Sequence, residues 1–317
     1  MKHTFKVTIA LVLFFFLAQF AGLLIINQYI DHAKTIEAKQ IVMKPLPYGF
    51  ERPEVKNQST SFIYITIAIF IGTFLVLLLV KFNKSFIWKL WFFATVWLTL
   101  SIAFAAFINS IAAAIIALVV SVLKLYKPNV IIQNFSEIFI YGGLAAIFVP
   151  IMNLFAAFML LIIISIYDFV AVFKTKHMIK LAKFQSKSKV FAGLLIPYGN
   201  QKVQIKGSLQ TAKPSLKPKS ESKSSQMSER GASSRKSLAV LGGGDIGFTL
   251  IFAGVVMKEL MLRETIFIGF LKTLIISIFV SLALLVLLLK GQQNKFYPAM
   301  PVLSLGCFLG YLVVLLV

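Results

Sequence analysis

Three acidic side chains fall inside long apolar stretches of this sequence. The chain of 317 residues contains 11 Asp and Glu residues, and eight of them lie in polar segments or near the ends of apolar runs. Glu137, Asp168 and Asp245 are the exceptions. A charged side chain at membrane depth costs about 2.5–3.5 kcal/mol on insertion scales, so such a residue indicates a functional role. Glu137, near the start of its run, is expected to pair with a lysine or reach the interface.

Asp168 and Asp245 are predicted to lie at similar depths. The apolar run of Asp168 ends near Lys174, and the run of Asp245 begins near Leu238, six and seven residues away respectively. At about 1.5 Å per helical residue, both carboxyl groups lie roughly 9–10 Å from the same membrane surface. The two helices are consecutive and antiparallel, so they can be neighbours with their carboxyl groups facing each other.

A facing pair of carboxyl groups would allow acid–base catalysis. Two such groups a few ångströms apart cannot both ionise, so they share a proton and titrate together. In aspartic proteases one carboxylate activates water, while the other, protonated, donates to the scissile carbonyl oxygen. Gly242-Gly243-Gly244 directly precede Asp245. Glycines form poor helix and permit close backbone approach, although small residues also pack membrane helices.

The composition places these residues in a membrane protein. Apolar residues make up 59% of the chain, charged residues make up 14%, and the mean hydropathy is +0.88. Soluble domains are about 45–50% apolar and about 25% charged. The apolar residues also form runs of about 20, which is enough to cross a hydrocarbon core about 30 Å thick.

Nine transmembrane helices are predicted, with the region 86–123 divided near Asn109-Ser110. The first run is too long for a signal-peptide core and lacks a clear cleavage site, so we interpret it as a retained helix. The nine helices cover approximately residues 7–26, 61–80, 86–108, 110–123, 131–149, 154–173, 238–257, 265–289 and 298–317.

A basic segment separates the helices that carry Asp168 and Asp245. Residues 174–236 hold 15 of the 32 Lys and Arg residues and only two acidic residues. Its polar composition predicts a largely disordered loop, 174–237, between an N-terminal part, 1–173, and a C-terminal part, 238–317. The distribution of positive charge favours a cell-membrane protein with this loop and the N-terminus in the cytoplasm and the C-terminus outside. Anionic lipids, rather than nucleic acid, are the expected partner of the loop.

Three ordered motifs resemble those of presenilin-type intramembrane aspartyl proteases. Tyr167-Asp168 matches the YD motif, and Gly242-Gly243-Gly244-Asp245 matches GxGD. Pro298-Ala299-Met300 matches Pro-Ala-Leu with one volume-conserving change. Residues 133–143 are also similar to the fifth presenilin helix. The resemblance extends from about residue 130 to the end, around a variable loop, and looks closest to archaeal presenilin homologues.

The resemblance implies an all-α, nine-helix bundle and an aspartic endopeptidase with Asp168 and Asp245 as its catalytic pair. It also implies that single-pass transmembrane proteins are the substrates and that an unwound substrate is held as an added β-strand. Either residues 190–196 or residues 238–241 could supply that strand edge. The remaining motif residues would shape the site and seat the substrate: Tyr167, Gly242, Gly243, Gly244, Pro298, Ala299 and Met300.

No cofactor is expected. The three histidines are far apart in the sequence and the chain has a single cysteine, Cys307, so no metal-ligand cluster is predicted. The proposed chemistry needs only water.

Three other interpretations differ in function or topology. A proton- or ion-coupled transporter or channel would also place acids in the membrane, but no internal repeat supports it. A non-catalytic scaffold would use the acids as structural ion pairs, yet no membrane Lys or Arg is placed to neutralise both. Signal peptide peptidase would perform the same chemistry with inverted topology. The basic inside loop and the absence of Gln before Pro298 favour the presenilin type.

Overall fold

A computed structural model describes residues 5–82, 84–175, 190–198, 237–291 and 297–317. Its described part contains ten α-helices and one antiparallel pair of strands. The helices are α1 (Phe5–Tyr29), α2 (His32–Ala38), α3 (Ser61–Lys81), α4 (Ser85–Ala105), α5 (Ser110–Tyr126), α6 (Val130–Phe148), α7 (Leu154–Val170), α8 (Gly243–Arg263), α9 (Ile266–Lys290) and α10 (Met300–Leu316). The strands are β1 (Gly193–Tyr198) and β2 (Ser237–Gly242).

Each of the nine predicted positions carries a helix. Within the described ranges, six helical segments are long and apolar enough to cross a membrane, namely Phe5–Tyr29, Gln58–Lys81, Ser85–Ala105, Val130–Ile151, Leu154–Phe173 and Ile266–Lys290. The apolar helices α5 and α10 are shorter, at 17 residues each. The predicted break near Asn109-Ser110 is confirmed, because α4 ends at Ala105 and the Asn109 side chain caps the first turn of α5.

The predicted helix over residues 238–257 is wrong at its start. Residues 237–242 form β2, and α8 begins only at Gly243. A short apolar run is compatible with either a strand or a buried helix. Here the strand forms because β1 supplies its backbone partners, with Leu195 opposite Val240 and Gly193 opposite Gly242. Asp245 therefore lies in the first turn of α8.

The region 31–60 lies outside the nine predicted helices, yet it contains a short helix. This is α2, and the Asp31 side chain accepts the N–H of Lys34 at its start. Most of the predicted cytoplasmic loop, residues 176–189 and 199–236, lies outside the described residues, so its predicted disorder stays a prediction. Residues 193–198 of that loop form β1.

Helix α8 lies at the centre of the bundle. It contacts α1, α6, α7, α9 and α10, and 14 of its 21 residues are buried. The Gln19 side chain of α1 donates to the carbonyl oxygen of Ile246 at 3.0 Å and to the hydroxyl of Thr249 at 2.7 Å. At the other end of α8, the buried Lys258 amine donates to the carbonyl oxygen of Met152 at 2.5 Å. Asp245 therefore lies on a helix that is fixed at both ends.

Candidate active site

Asp168 lies in the last turn of α7 and faces the start of α10. The chain then forms a π-helical turn over Ala171–Thr175. The backbone N–H of Met300, the first residue of α10, donates to Oδ2 of Asp168 at 3.1 Å. The first N–H groups of a helix have no partner within it and carry partial positive charge, so they suit a carboxylate. This contact holds the buried carboxyl group of Asp168 against the start of α10, where the Pro-Ala-Met motif ends.

A second polar contact joins α7 to α10. The hydroxyls of Ser165 and Ser304 lie 2.8 Å apart, about one turn from Asp168 and from Met300 respectively. Two contacts at this spacing fix both the distance and the rotation between the two helices.

Asp168 and Asp245 line one cavity of about 200 Å³. Their carboxyl groups are close enough to interact electrostatically. The cavity has room for several water molecules, each of which occupies about 30 Å³ in the liquid. The structure thus brings together the two acids that the sequence singled out, from two helices in contact.

The other predicted site residues fall into two groups. Tyr167, Gly242, Gly244 and Met300 line the same cavity as the two acids. Three others lie outside its lining: Gly243 packs against Tyr141, Ala299 caps α10, and Pro298 precedes that cap.

Side chains of helix α3 form one wall of the cavity. Thr66, Ile69 and Phe70 form this wall, and the Phe70 ring meets the Tyr167 ring edge-on with centroids 5.5 Å apart. Only Ser61 and Ile65 of α3 are buried, so the rest of this helix is largely exposed.

A buried ion pair lies behind the start of α8. The amine of Lys124 on α5 lies 2.6 Å from Oε1 of Glu137 on α6, and both side chains are almost completely buried. This confirms the expectation that Glu137 pairs with a lysine. The hydroxyl of Tyr141 donates to the other oxygen of Glu137, and the Tyr141 ring packs against Gly243.

Two further side chains of α6 hold β1. The amide group of Asn134 donates to the carbonyl oxygen of Leu195 and accepts its N–H, both at 2.8 Å. The amide nitrogen of Gln133 donates to the carbonyl oxygens of Phe191 at 3.0 Å and Gly193 at 2.9 Å. Sequence reasoning missed these roles. The available signal was a cluster of four polar residues (133, 134, 136 and 137) in an otherwise apolar helix.

The described residues contain no group of three His, Cys, Asp or Glu side chains that could hold a metal ion. His3 and His177, two of the three histidines considered in the sequence, lie outside the described ranges.

Two solved structures share this fold. Both are of a presenilin family intramembrane aspartate protease, in the space groups C222 and P2. The first is 19% identical with a TM-score of 0.53, and the match covers 96% of this chain and 99% of the other. The second is 18% identical with a TM-score of 0.55, and the match covers 97% and 96% respectively. The fold is therefore mostly helical and presenilin-like.

The sequence comparisons place the chain in a family. A search of curated proteins finds no match. The family described as signal-peptide peptidase, presenilin aspartyl protease matches residues 8–317, which is nearly the whole chain. The comparisons give no support to the transporter alternative. This protein belongs to the signal-peptide peptidase and presenilin family of intramembrane aspartyl proteases.

Proposed function

We propose that this protein hydrolyses peptide bonds within the transmembrane helices of single-pass membrane proteins, with Asp168 and Asp245 as the catalytic pair. The observation that carries the proposal is that the two carboxyl groups line one cavity from the contacting helices α7 and α8. Family membership gives the reaction class, and the shared cavity supports the choice of these two residues.

The surroundings of the two acids suggest a role for each. The N–H of Met300 stabilises an ionised carboxylate on Asp168, which suits this group to take a proton from water. Within the described part of the chain, no donor contacts the Asp245 carboxyl group, so we assign the shared proton to it. As the water oxygen bonds to the scissile carbon, Asp245 donates its proton to the carbonyl oxygen. The tetrahedral gem-diol then breaks its C–N bond, and the amine leaves with the proton that Asp168 took from water. As the carboxylic acid product forms, one gem-diol hydroxyl returns its proton to Asp245, which restores the starting protonation of the pair.

The strand pair offers a place for an extended substrate. Both backbone groups of Leu195 bond the Asn134 side chain, so they point away from β2. Opposite residues in an antiparallel pair share this orientation, so the N–H and C=O of Val240 point away from β1. The Val240 side chain is 43% exposed. A substrate strand added along β2 would reach Gly242 and the cavity through main-chain hydrogen bonds.

The arrangement in the membrane is also part of the proposal. We place nine crossings in the cell membrane, with the N-terminus and the loop 174–237 in the cytoplasm and the C-terminus outside. The loop then divides a six-helix part, residues 1–173, from a three-helix part, residues 238–317. The Lys2 and Lys6 pair at the N-terminus and the uncharged turns after the third and fifth predicted helices support this orientation. Water would reach the acids from the cytoplasmic side.

Proteolysis in liposomes tests the proposed function. Purified protein is mixed with a generic single-pass substrate, with and without a transition-state inhibitor of aspartyl proteases, and the products are mapped by mass spectrometry. Cleavage inside the substrate helix that the inhibitor suppresses is the expected result. Failure to cleave several substrates, together with proton or ion flux that requires both aspartates, would instead identify a transporter.

A further inference from the structure

The outer edge of β1 is occupied by side chains rather than by a third strand. Asn134 meets both backbone groups of Leu195, and Gln133 meets the carbonyl oxygens of Gly193 and Phe191. The three bonded residues alternate along the chain, as the outward groups of one strand edge do. The next position on this edge is Pro197, which has no N–H to satisfy. Side chains of α6 therefore occupy this edge from residue 191 to residue 195, and Pro197 offers no N–H to an added strand.

The Asn134 side chain makes the two hydrogen bonds that a neighbouring strand would make to Leu195. A strand neighbour offers one donor and one acceptor to a residue at the edge, and the Asn134 amide offers both to Leu195 at 2.8 Å. Asn134 is buried, so the backbone groups of Leu195 have little access to water that could replace it.

The supporting side chains are themselves fixed. The two hydrogens of the Gln133 amide nitrogen are shared among three acceptors, namely the two strand carbonyl oxygens and Oε1 of Glu137 at 3.0 Å. The same Glu137 oxygen accepts a hydrogen bond from the amine of Lys124. Gln133, Glu137 and Lys124 are all buried. Polar contacts therefore connect the ion pair between α5 and α6, through Gln133, to the backbone of β1.

A two-stranded sheet needs such support. An isolated pair of strands is only marginally stable, and it gains stability by packing on other elements. Here β1 contacts α6 and α1, whereas β2 contacts β1 and the start of α8. The hydrogen bonds from α6 are therefore one part of the support that keeps the strands together.

We propose that Asn134 and Gln133 are positioning residues that close the outer edge of β1 and hold the β1–β2 pair formed before substrate arrives. The inference rests on the proposed function in one respect: the pre-formed pair serves to receive a substrate strand. A strand that binds a pre-formed edge loses less ordering free energy than one that must order the edge itself. Asn134 and Gln133 thus contribute to substrate affinity without touching the reacting atoms.

Hydrogen exchange of the full-length protein in detergent tests the structural half of this inference without substrate. In Asn134→Leu, exchange of peptides covering residues 193–198 and 237–242 is expected to rise on the order of tenfold, because buried backbone groups lose their partners. The matched control is Asn153→Leu, which also loses two hydrogen bonds, to Ser59 and Ala156, at the start of α7. Strand exchange should stay unchanged in that control.

Steady-state cleavage kinetics test the functional half. Asn134→Leu should raise KM by about tenfold while kcat changes by less than about threefold, because uniform binding is lost and the acids are untouched. If Asn134→Leu does not fold, Asn134→Ser replaces it. A serine adds no buried charge, and its single short hydroxyl cannot replace both hydrogen bonds to Leu195, so KM should still rise.

A cross-strand disulfide provides the rescue. Leu195 and Val240 form a non-hydrogen-bonded antiparallel pair, whose Cα atoms lie about 4.5 Å apart, within disulfide range. Leu195→Cys with Val240→Cys should restore KM in the Asn134→Leu protein when oxidised, and reduction should remove that recovery.

The outcomes separate this inference from the proposed function. Unchanged strand exchange in Asn134→Leu, or a loss of kcat with normal KM, would overturn the positioning role even if the wild-type protein cleaves its substrate. Failure of the oxidised cysteine pair to restore KM would do the same. If Asn134→Leu increases strand exchange but the wild-type protein cleaves no substrate, the structural half of the inference is upheld and the proposed function is refuted.

Discussion

The backbone N–H of Met300 donates to Oδ2 of Asp168 across 3.1 Å, joining residues 132 positions apart in the sequence. Because the donor is a main-chain group, the contact does not depend on the side chain at position 300. The side chain instead fills space beside the cavity, where it is only 3% exposed. A volume-conserving change of the side chain at position 300 would therefore leave the contact with Asp168 in place.

Substitutions of Met300 should therefore distinguish the effect of side-chain volume from a direct role of the side chain in catalysis. Met300→Leu conserves volume, so we expect activity near that of the wild type and a stability loss below about 1.5 kcal/mol. Met300→Ala removes buried atoms and should lower the free energy of unfolding by about 2–5 kcal/mol. Thermal unfolding and cleavage rates of the two variants check this. An inactive but folded Met300→Leu protein would show that the side chain itself takes part.

Gly243 should tolerate substitution less well than Gly244. A Cβ at Gly243 would lie 3.0 Å from two ring atoms of Tyr141 and even closer to its hydroxyl, whereas one at Gly244 would lie 3.6 Å from the Phe248 ring. Gly243→Ala must displace the start of α8, and a shift of about 1 Å can cost roughly 100-fold in rate. Equal turnover by Gly243→Ala and Gly244→Ala would contradict the packing of Tyr141 on α8.

The Lys124–Glu137 pair should be costly to break from one side. Lys124→Met leaves a buried carboxylate without its partner, so the free energy of unfolding should fall by about 3–5 kcal/mol. In the double variant Lys124→Met with Glu137→Gln no charge is left unpaired, and part of the loss should return. Denaturant unfolding in micelles measures both. A double variant as unstable as the sum of the two single variants would argue against a direct pair.

His32 should make the α1–α3 connection sensitive to acid. Burial and the nearby charge of Lys44 lower the pKa of His32 from 6.5 in the folded protein. As pH falls, His32 therefore takes up a proton in the unfolded chain before it does so in the folded protein. The stability of the folded protein is unaffected by His32 above the unfolded pKa and decreases as pH falls below it. His32→Gln should flatten the fall in melting temperature between about pH 7 and pH 5. An unchanged pH dependence would exclude His32 as its source.

Sequence patterns were sufficient for the features that depend on composition and local spacing. The positions of the helices follow from apolar runs interrupted by polar residues, as at Asn109 between α4 and α5. Asp168 and Asp245 stood out because a carboxyl group is unfavourable in such runs. Asp168 lies in the last turn of α7 and Asp245 in the first turn of α8, so both acids are at the loop-facing ends of their helices, where they line a common cavity.

Features that depend on contacts distant in sequence were not accessible. The sequence offered residues 190–196 or 238–241 as a possible strand edge, but it did not indicate that residues 194–197 pair with residues 238–241 and so replace the start of a predicted helix. The pairing of Glu137 with a lysine could be expected, but its partner lies on another helix, 13 residues earlier. Tyr141 is an ordinary aromatic residue in α6 until the backbone of Gly243 approaches it.

The central claim, that Asp168 and Asp245 act as one catalytic pair, is tested most directly by comparing Asp168→Asn, Asp245→Asn and the double variant in one cleavage assay. When two catalytic groups act as a unit, removing either one abolishes the contribution of both. The cleavage rate of each single variant should therefore be as low as that of the double variant. All three should remain inserted and folded, because a neutral amide of similar size replaces each acid. Residual turnover above that background in either folded single variant would contradict the account.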